Sequence, residues 1–145
     1  MALTPSNVNE EKPWLQYYPE WTAHSLEYGD HTLRDLYLNN LSKNVSRIAT
    51  RFFGRTQTFG ELDREVRRAA AGLKAFGVRP GDRVAIMLPN CPQHIVAFYA
   101  VMRLGAIAVE HNPLYTAAEL RHQFEDHGAK VAVVWDKTVE TVRSL

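Results

Sequence analysis

The stretch from Val84 to Leu88 restricts what this chain can become more than any other. It reads VAIML, apolar at every position, and is bounded by Pro80-Gly81 before it and Pro89-Asn90 after it. A strand with one face in water alternates apolar and polar residues, so an unbroken apolar run between turn residues predicts a strand buried on both faces. Such a strand needs a covering layer on either side, and the residues that follow supply the layers. Pro92 suits the first turn of a helix reaching Leu104 before Gly105. That helix is apolar almost all round (Ile95, Val96, Phe98, Tyr99, Val101, Met102) and is expected to be sandwiched. Ala106 to Val109 reads as a second strand. Thr116 and Glu119 form a T-x-x-E capping box that opens a helix carrying Leu120, Gln123 and Phe124 and stopping at Gly128. Lys130 to Trp135 is a third strand, and DKTVETVRSL begins another helix. Parallel strands need long crossovers, which these helices provide. The predicted fold class is therefore α/β, a partial doubly wound parallel sheet (β-α-β-α-β-α).

The residues before this sheet divide at His31. Residues 1–31 show little periodicity but many rings: Trp14, Tyr17, Tyr18 and Trp21, with Pro13 and Pro19 as breakers. They predict an extended aromatic arm packed on a body surface, either its own or a neighbour's, or held at a membrane interface. From Thr32 to residue 145 one α/β unit is expected. Thr32 caps a helix with an apolar stripe of Leu33, Leu36, Tyr37 and Leu41, ending at Asn44. RIATRFFGRTQT reads as a short hairpin turning at Gly54-Arg55. Thr58 and Glu61 form a first capping box, and the helix after it carries Leu62, Val66, Ala69, Ala70, Leu73 and Phe76 before Gly77 stops it.

Several function classes are excluded. A formal net charge of +1 gives no reason to expect nucleic acid as a partner, and the basic stretch Arg64 to Lys74 is interleaved with Glu65 and alanines as a solvated helix face. Cys91 is the only cysteine, so no intrachain disulfide can form and a reducing, cytoplasmic setting is expected. No secretory signal is visible at the start. The longest apolar run, Ile95 to Met102, falls short of the ~20 residues that span a bilayer, leaving at most a peripheral membrane contact.

The usual phosphate signatures are missing. No two glycines stand one residue apart, which removes the G-x-G-x-x-G fingerprint. Gly72 and Gly77 have the outer spacing of a P-loop, but Val78-Arg79 replaces its Lys-Ser/Thr. His122 and His127 are too ill-spaced to share a helix face as metal ligands, and Cys91 has no partner base. No catalytic, cofactor-binding or metal residue is assigned on this basis. Ligands of open α/β sheets sit beyond the carboxyl ends of the strands. Asn90, His111 and Asn112 occupy those ends and are candidates to line a crevice, although Pro-Asn and Asn-Pro pairs are also ordinary turn punctuation.

In that order, Thr58-Phe59-Gly60-Glu61-Leu62, Gly77-Val78 with Pro80-Gly81-Asp82-Arg83-Val84, Leu88-Pro89-Asn90, Gly105-Ala106, Asn112-Pro113-Leu114-Tyr115 and Gly128-Ala129-Lys130 resemble the N-terminal part of AMP-forming acyl-CoA synthetases of the adenylate-forming superfamily. The aromatic leader is most similar to that of bacterial long-chain fatty acid CoA ligases. His127 departs from the pattern, standing where relatives commonly have serine. The resemblance implies an enzyme that joins a fatty acid to ATP with Mg²⁺, releasing pyrophosphate, and passes the acyl group to coenzyme A. It implies further that the phosphate loop, the ATP and Mg²⁺ contacts and the catalytic lysine follow this region. The 145 residues alone are then expected to bind no cofactor, to be inactive and to self-associate as a homo-oligomer. A related acyl-AMP ligase, another acid-CoA ligase and a non-catalytic interaction module are the alternatives.

Overall fold

The computed structural model describes residues 12–27 and 29–145. It divides into Met1–His31 and Thr32–Leu145. Residues 1–11 and 28 of the expected arm lie outside the described residues. Within the first unit the expectation of an extended segment is corrected: Pro13–Tyr17 is a 3-10 helix. Pro13 does not break this helix but starts it, because its fixed φ suits a first turn and its missing N–H is not needed there. The Tyr18 and His24 rings meet edge to face at 6.1 Å.

The second unit opens with α1 (Leu33–Asn44), where Thr32 and Asp35 exchange side-chain and backbone hydrogen bonds as a capping box. Its inward face is Tyr37, Leu38 and Leu41 rather than the stripe expected, since Leu33 and Leu36 are each 55% exposed. At 100° per residue Leu36 lies well off the direction shared by Tyr37 and Leu41. The hairpin follows as β1 (Ile48–Phe52) and β2 (Arg55–Thr58), antiparallel, with Phe52 opposite Arg55. Its turn is Phe53-Gly54, one residue before the expected pair. Both residues have positive φ, +45° and +78°, as a two-residue hairpin turn of the primed type requires.

Helix α2 (Phe59–Ala75) starts at the Thr58/Glu61 capping box, whose hydrogen bonds hold the Glu61 carboxyl below its usual range. It buries Leu62, Val66, Ala70 and Leu73. Phe76, expected in that stripe, is 81% exposed. It is the C-cap, and its place in the core is taken by Val78, whose N–H bonds back to Leu73 O while Gly77 N–H bonds to Lys74 O. This paired closure around a left-handed glycine carries the chain sharply back, so that Val78, not Phe76, meets Leu73.

Three parallel strands complete the unit: β3 (Arg83–Met87), β4 (Ile107–Glu110) and β5 (Val131–Val134), in the order β4-β3-β5. They alternate with α3 (Pro92–Arg103) and α4 (Ala117–His127), and a 3-10 turn and α5 (Val139–Arg143) follow β5. The first crossover moves from β3 to one neighbour and the second moves back past β3 to the other. Right-handed crossovers in opposite directions put α3 and α4 on opposite faces, the doubly wound arrangement. Burial agrees, because Val84, Ala85, Ile86 and Met87 are all fully covered. Val84 and Ile86 pack with Ala97, Ala100 and Val101 of α3, which is itself covered by Ala70 and Leu73 of α2. Helix α3 is thus sandwiched as its composition predicts.

A second cluster joins α1, α2 and α3 through Tyr37, Leu62, Val66 and Tyr99, the two tyrosine rings stacking at 4.3 Å. Asp63 is buried beside it. Tyr37 Oη donates to Asp63 Oδ1 at 3.5 Å, Arg67 pairs with Oδ2 from the next turn, and Arg103 of α3 reaches within 3.8 Å. Burial, with Asp63 adding to it, pushes the Tyr37 phenol up to about 12.

Candidate functional site

The connections leaving β3 and β4 depart over opposite faces of the sheet, so their carboxyl ends part and leave a crevice. An open depression of about 840 Å³ lies there, with Asn90, His94, Glu110, His111, Asn112 and Leu114 among the residues lining it. Asn90, His111 and Asn112 are therefore brought to one place. Their side chains are unequally free. Asn112 Oδ1 accepts the Leu114 N–H at 2.9 Å and its carbonyl accepts the Tyr115 N–H at 3.1 Å, so this residue builds the turn. Asn90 is exposed at the mouth. His111 is only 6% exposed, and both ring nitrogens are engaged.

The partners of His111 come from α4. Leu120, Gln123, Phe124 and His127 fall at i, i+3, i+4 and i+7, which is the helix face turned to the sheet. His111 lies flat against Phe124, centroids 5.1 Å apart. Ala129 N–H donates to His127 Nδ1 at 3.0 Å, so that nitrogen carries no proton. The His127 proton is therefore on Nε2, which lies 3.1 Å from His111 Nε2 and donates to it. His111 in turn carries its proton on Nδ1 and gives it to Gln123 Oε1 at 2.8 Å. One chain of donors fixes both tautomers. Burial first, then His111, holds the His127 pKa below the ordinary imidazole value; Asp126 opposes this and Arg83 adds to it.

Sequence spacing could not have found this pair, because the two histidines meet across 16 residues of chain. The helical register was the one usable signal, since it puts His127 two turns beyond Leu120. A second unforeseen pair stands on the α3 side, where His94 Nε2 lies 2.9 Å from Glu110 Oε2. Strand alternation explains the division: Glu110 and His111 are consecutive and point to opposite faces.

The crevice does not fit a triphosphate with its metal. Pro92 removes an N–H from the first turn of α3, the one helix that opens onto the crevice from β3, and Cys91 makes no side-chain cap there. No glycine loop stands between strand and helix. The His111–His127 pair is no better as a metal site. A histidine binding a cation through Nε2 carries its proton on Nδ1, where His127 already accepts the Ala129 N–H. Among the described residues no cluster of three or more His, Cys, Asp or Glu side chains could hold a cation, and no helix is long and apolar enough to cross a membrane.

Comparison with known proteins places this architecture. The chain is 36% identical over 129 residues to the long-chain-fatty-acid–CoA ligase of Bacillus subtilis, a match covering 89% of this chain and 23% of that protein. It is 43% identical over 92 residues to 4-coumarate–CoA ligase 3 of Oryza sativa, covering 63% of this chain and 17% of the relative. Among solved structures, the anthranilate CoA ligase AuaEII in complex with anthranoyl-AMP superposes with a TM-score of 0.74 at 26% identity, over 79% of this chain and 22% of that one. The chain thus spans about a quarter of the length of these relatives or less. The model of the AMP-binding enzyme family matches residues 39–145, and the chain belongs to that family.

Proposed function

We propose that this chain is the amino-terminal portion of an ATP-dependent long-chain fatty acid CoA ligase. The complete enzyme joins a fatty acid to ATP, giving acyl-AMP and pyrophosphate with Mg²⁺, and then transfers the acyl group to coenzyme A. The observation that carries this reading is the extent of the match to the B. subtilis ligase, 89% of the chain. The portion described here serves as scaffold. Its crevice offers no phosphate cradle, so produced alone these 145 residues are inactive and bind none of the three cofactors. The protein acts in the cytoplasm and takes its substrate there or at a membrane surface.

The complete protein, supplied with ATP, Mg²⁺, coenzyme A and palmitate, is expected to release AMP in step with acyl-CoA. Preference for an aromatic acid would instead favour a coumarate-type ligase, the reading supported by the 43% identity over the shorter span. Accumulation of acyl-AMP with no response to coenzyme A would indicate an acyl-AMP ligase. The sheet as described ends on β4 and β5. Unpaired strand edges promote association, so the isolated chain is expected to show a light-scattering mass that rises with concentration. A constant monomer mass would remove that expectation.

A further inference from the structure

Both rings of the His111–His127 pair are used at both nitrogens, in one direction, from Ala129 N–H to Gln123 Oε1. A proton added to His127 can enter only at Nδ1, where the Ala129 N–H already points. A proton added to His111 can enter only at Nε2, which faces the Nε2–H of His127. Either event sets two donors against each other in place of a hydrogen bond. Around the rings there is little to absorb such a charge. Asp126 of α4 favours it, Arg83 of β3 opposes it, and Phe124 stacks on His111. Glu110 is directed to the other face, where it meets His94.

We propose that the pair is an acid-released clasp between the carboxyl end of β4 and the last turn of α4, closed while both rings are neutral and open once either is protonated. The segment between the two, Asn112 to Thr116, supplies Asn112, Pro113 and Leu114 to the lining of the crevice. Opening therefore changes the crevice and the end of α4 together. The sign follows from the neutral closed state. A histidine that resists protonation when folded stabilises the fold fully above its unfolded pKa of about 6.5, and that contribution is lost as pH falls further. The lowered pKa of His127 agrees with this direction.

The test uses the complete protein with ¹⁵N-labelled histidine, and amide exchange over residues 111–129. At pH 7.5 the ring spectra are expected to show His127 protonated at Nε2 only and His111 at Nδ1 only. Between pH 7.5 and pH 5, protection of Ala129, corrected for intrinsic exchange, is expected to fall roughly tenfold or more, as for the loss of an interaction worth about 1.4 kcal/mol. In His127→Ser the acid response at Ala129 is expected to vanish. A His127 ring protonated at Nδ1 at pH 7.5, protection unchanged down to pH 5, or a response that survives in His127→Ser would each overturn the proposal. Should that variant not fold, the ring tautomers and Ala129 protection of the unaltered protein decide it.

Discussion

Asp63 and His111 are buried to nearly the same degree, 5% and 6% exposed, on opposite sides of the parallel sheet. Asp63 keeps company with two cations, Arg67 from its own helix and Arg103 from α3, and accepts a hydrogen bond from the neutral Tyr37 hydroxyl of α1. Among the described residues His111 has no counter-charge in direct contact, and it is satisfied by the direction of its hydrogen bonds, each donor facing an acceptor. The difference teaches that a buried polar group can be held by charge or by tautomer. A charge-held group tolerates imperfect geometry, as the 3.8 Å reach of Arg103 shows. A tautomer-held group does not, because a single extra proton turns an acceptor nitrogen into a donor that faces another donor.

Breaking the charged side should cost most. Asp63→Ala is expected to destabilise the complete protein by about 2–3 kcal/mol, since hydrogen bonds to charged groups are worth about 1.5–3 kcal/mol and Arg103 and Tyr37 lose their partner. Denaturant titration measures it, and a loss below about 0.5 kcal/mol would show that the network is incidental to stability. On the neutral side, His111→Phe keeps the stacking on Phe124 but leaves the His127 Nε2–H and Gln123 Oε1 unpaired. A cost of about 1–2 kcal/mol is expected by the same titration at pH 7.5. The contrast is sharpened at lower pH. Unaltered protein should lose stability below about pH 6.5, where the His127 imidazole charges in the unfolded chain but is held neutral in the folded one, and His127→Ser should lose less over the same interval. The smallest effect serves as a control outside both networks. Phe53→Asn at the hairpin tip should stabilise by about 0.5–1 kcal/mol, because Phe53 is held at φ +45° and asparagine visits the left-handed region far more readily. No gain in melting temperature would mean that the exposed ring makes a compensating contact.

The order of elements was legible because it rests on local chemistry. Thr58/Glu61 and Thr116/Glu119 announce helix starts within four residues of chain, and VAIML shows its two-sided burial by the absence of any polar residue. Errors fell where a side chain's fate depends on what lies across from it. Leu33 and Leu36 share a helix with Tyr37 but turn outward, and Phe76 has the right spacing yet stands past the last turn of α2. The crevice was partly legible, since carboxyl strand ends are given by order alone. That His111 is committed inward, and that His94 meets Glu110, could not be read, because both facts depend on the rotation of α3 and α4 over the sheet.

The order β4-β3-β5 also sets a timetable for synthesis. The first of these strands to leave the ribosome is the central one, and neither of its neighbours exists yet. At about 5–20 residues per second, the roughly fifty residues separating β3 from the end of β5 take several seconds to appear. During that interval the most deeply buried of the three parallel strands has no partner on one side, whereas α1, the hairpin and α2 have already been synthesised. The rate at which codons 88–134 are translated therefore sets how long that strand waits for both of its neighbours.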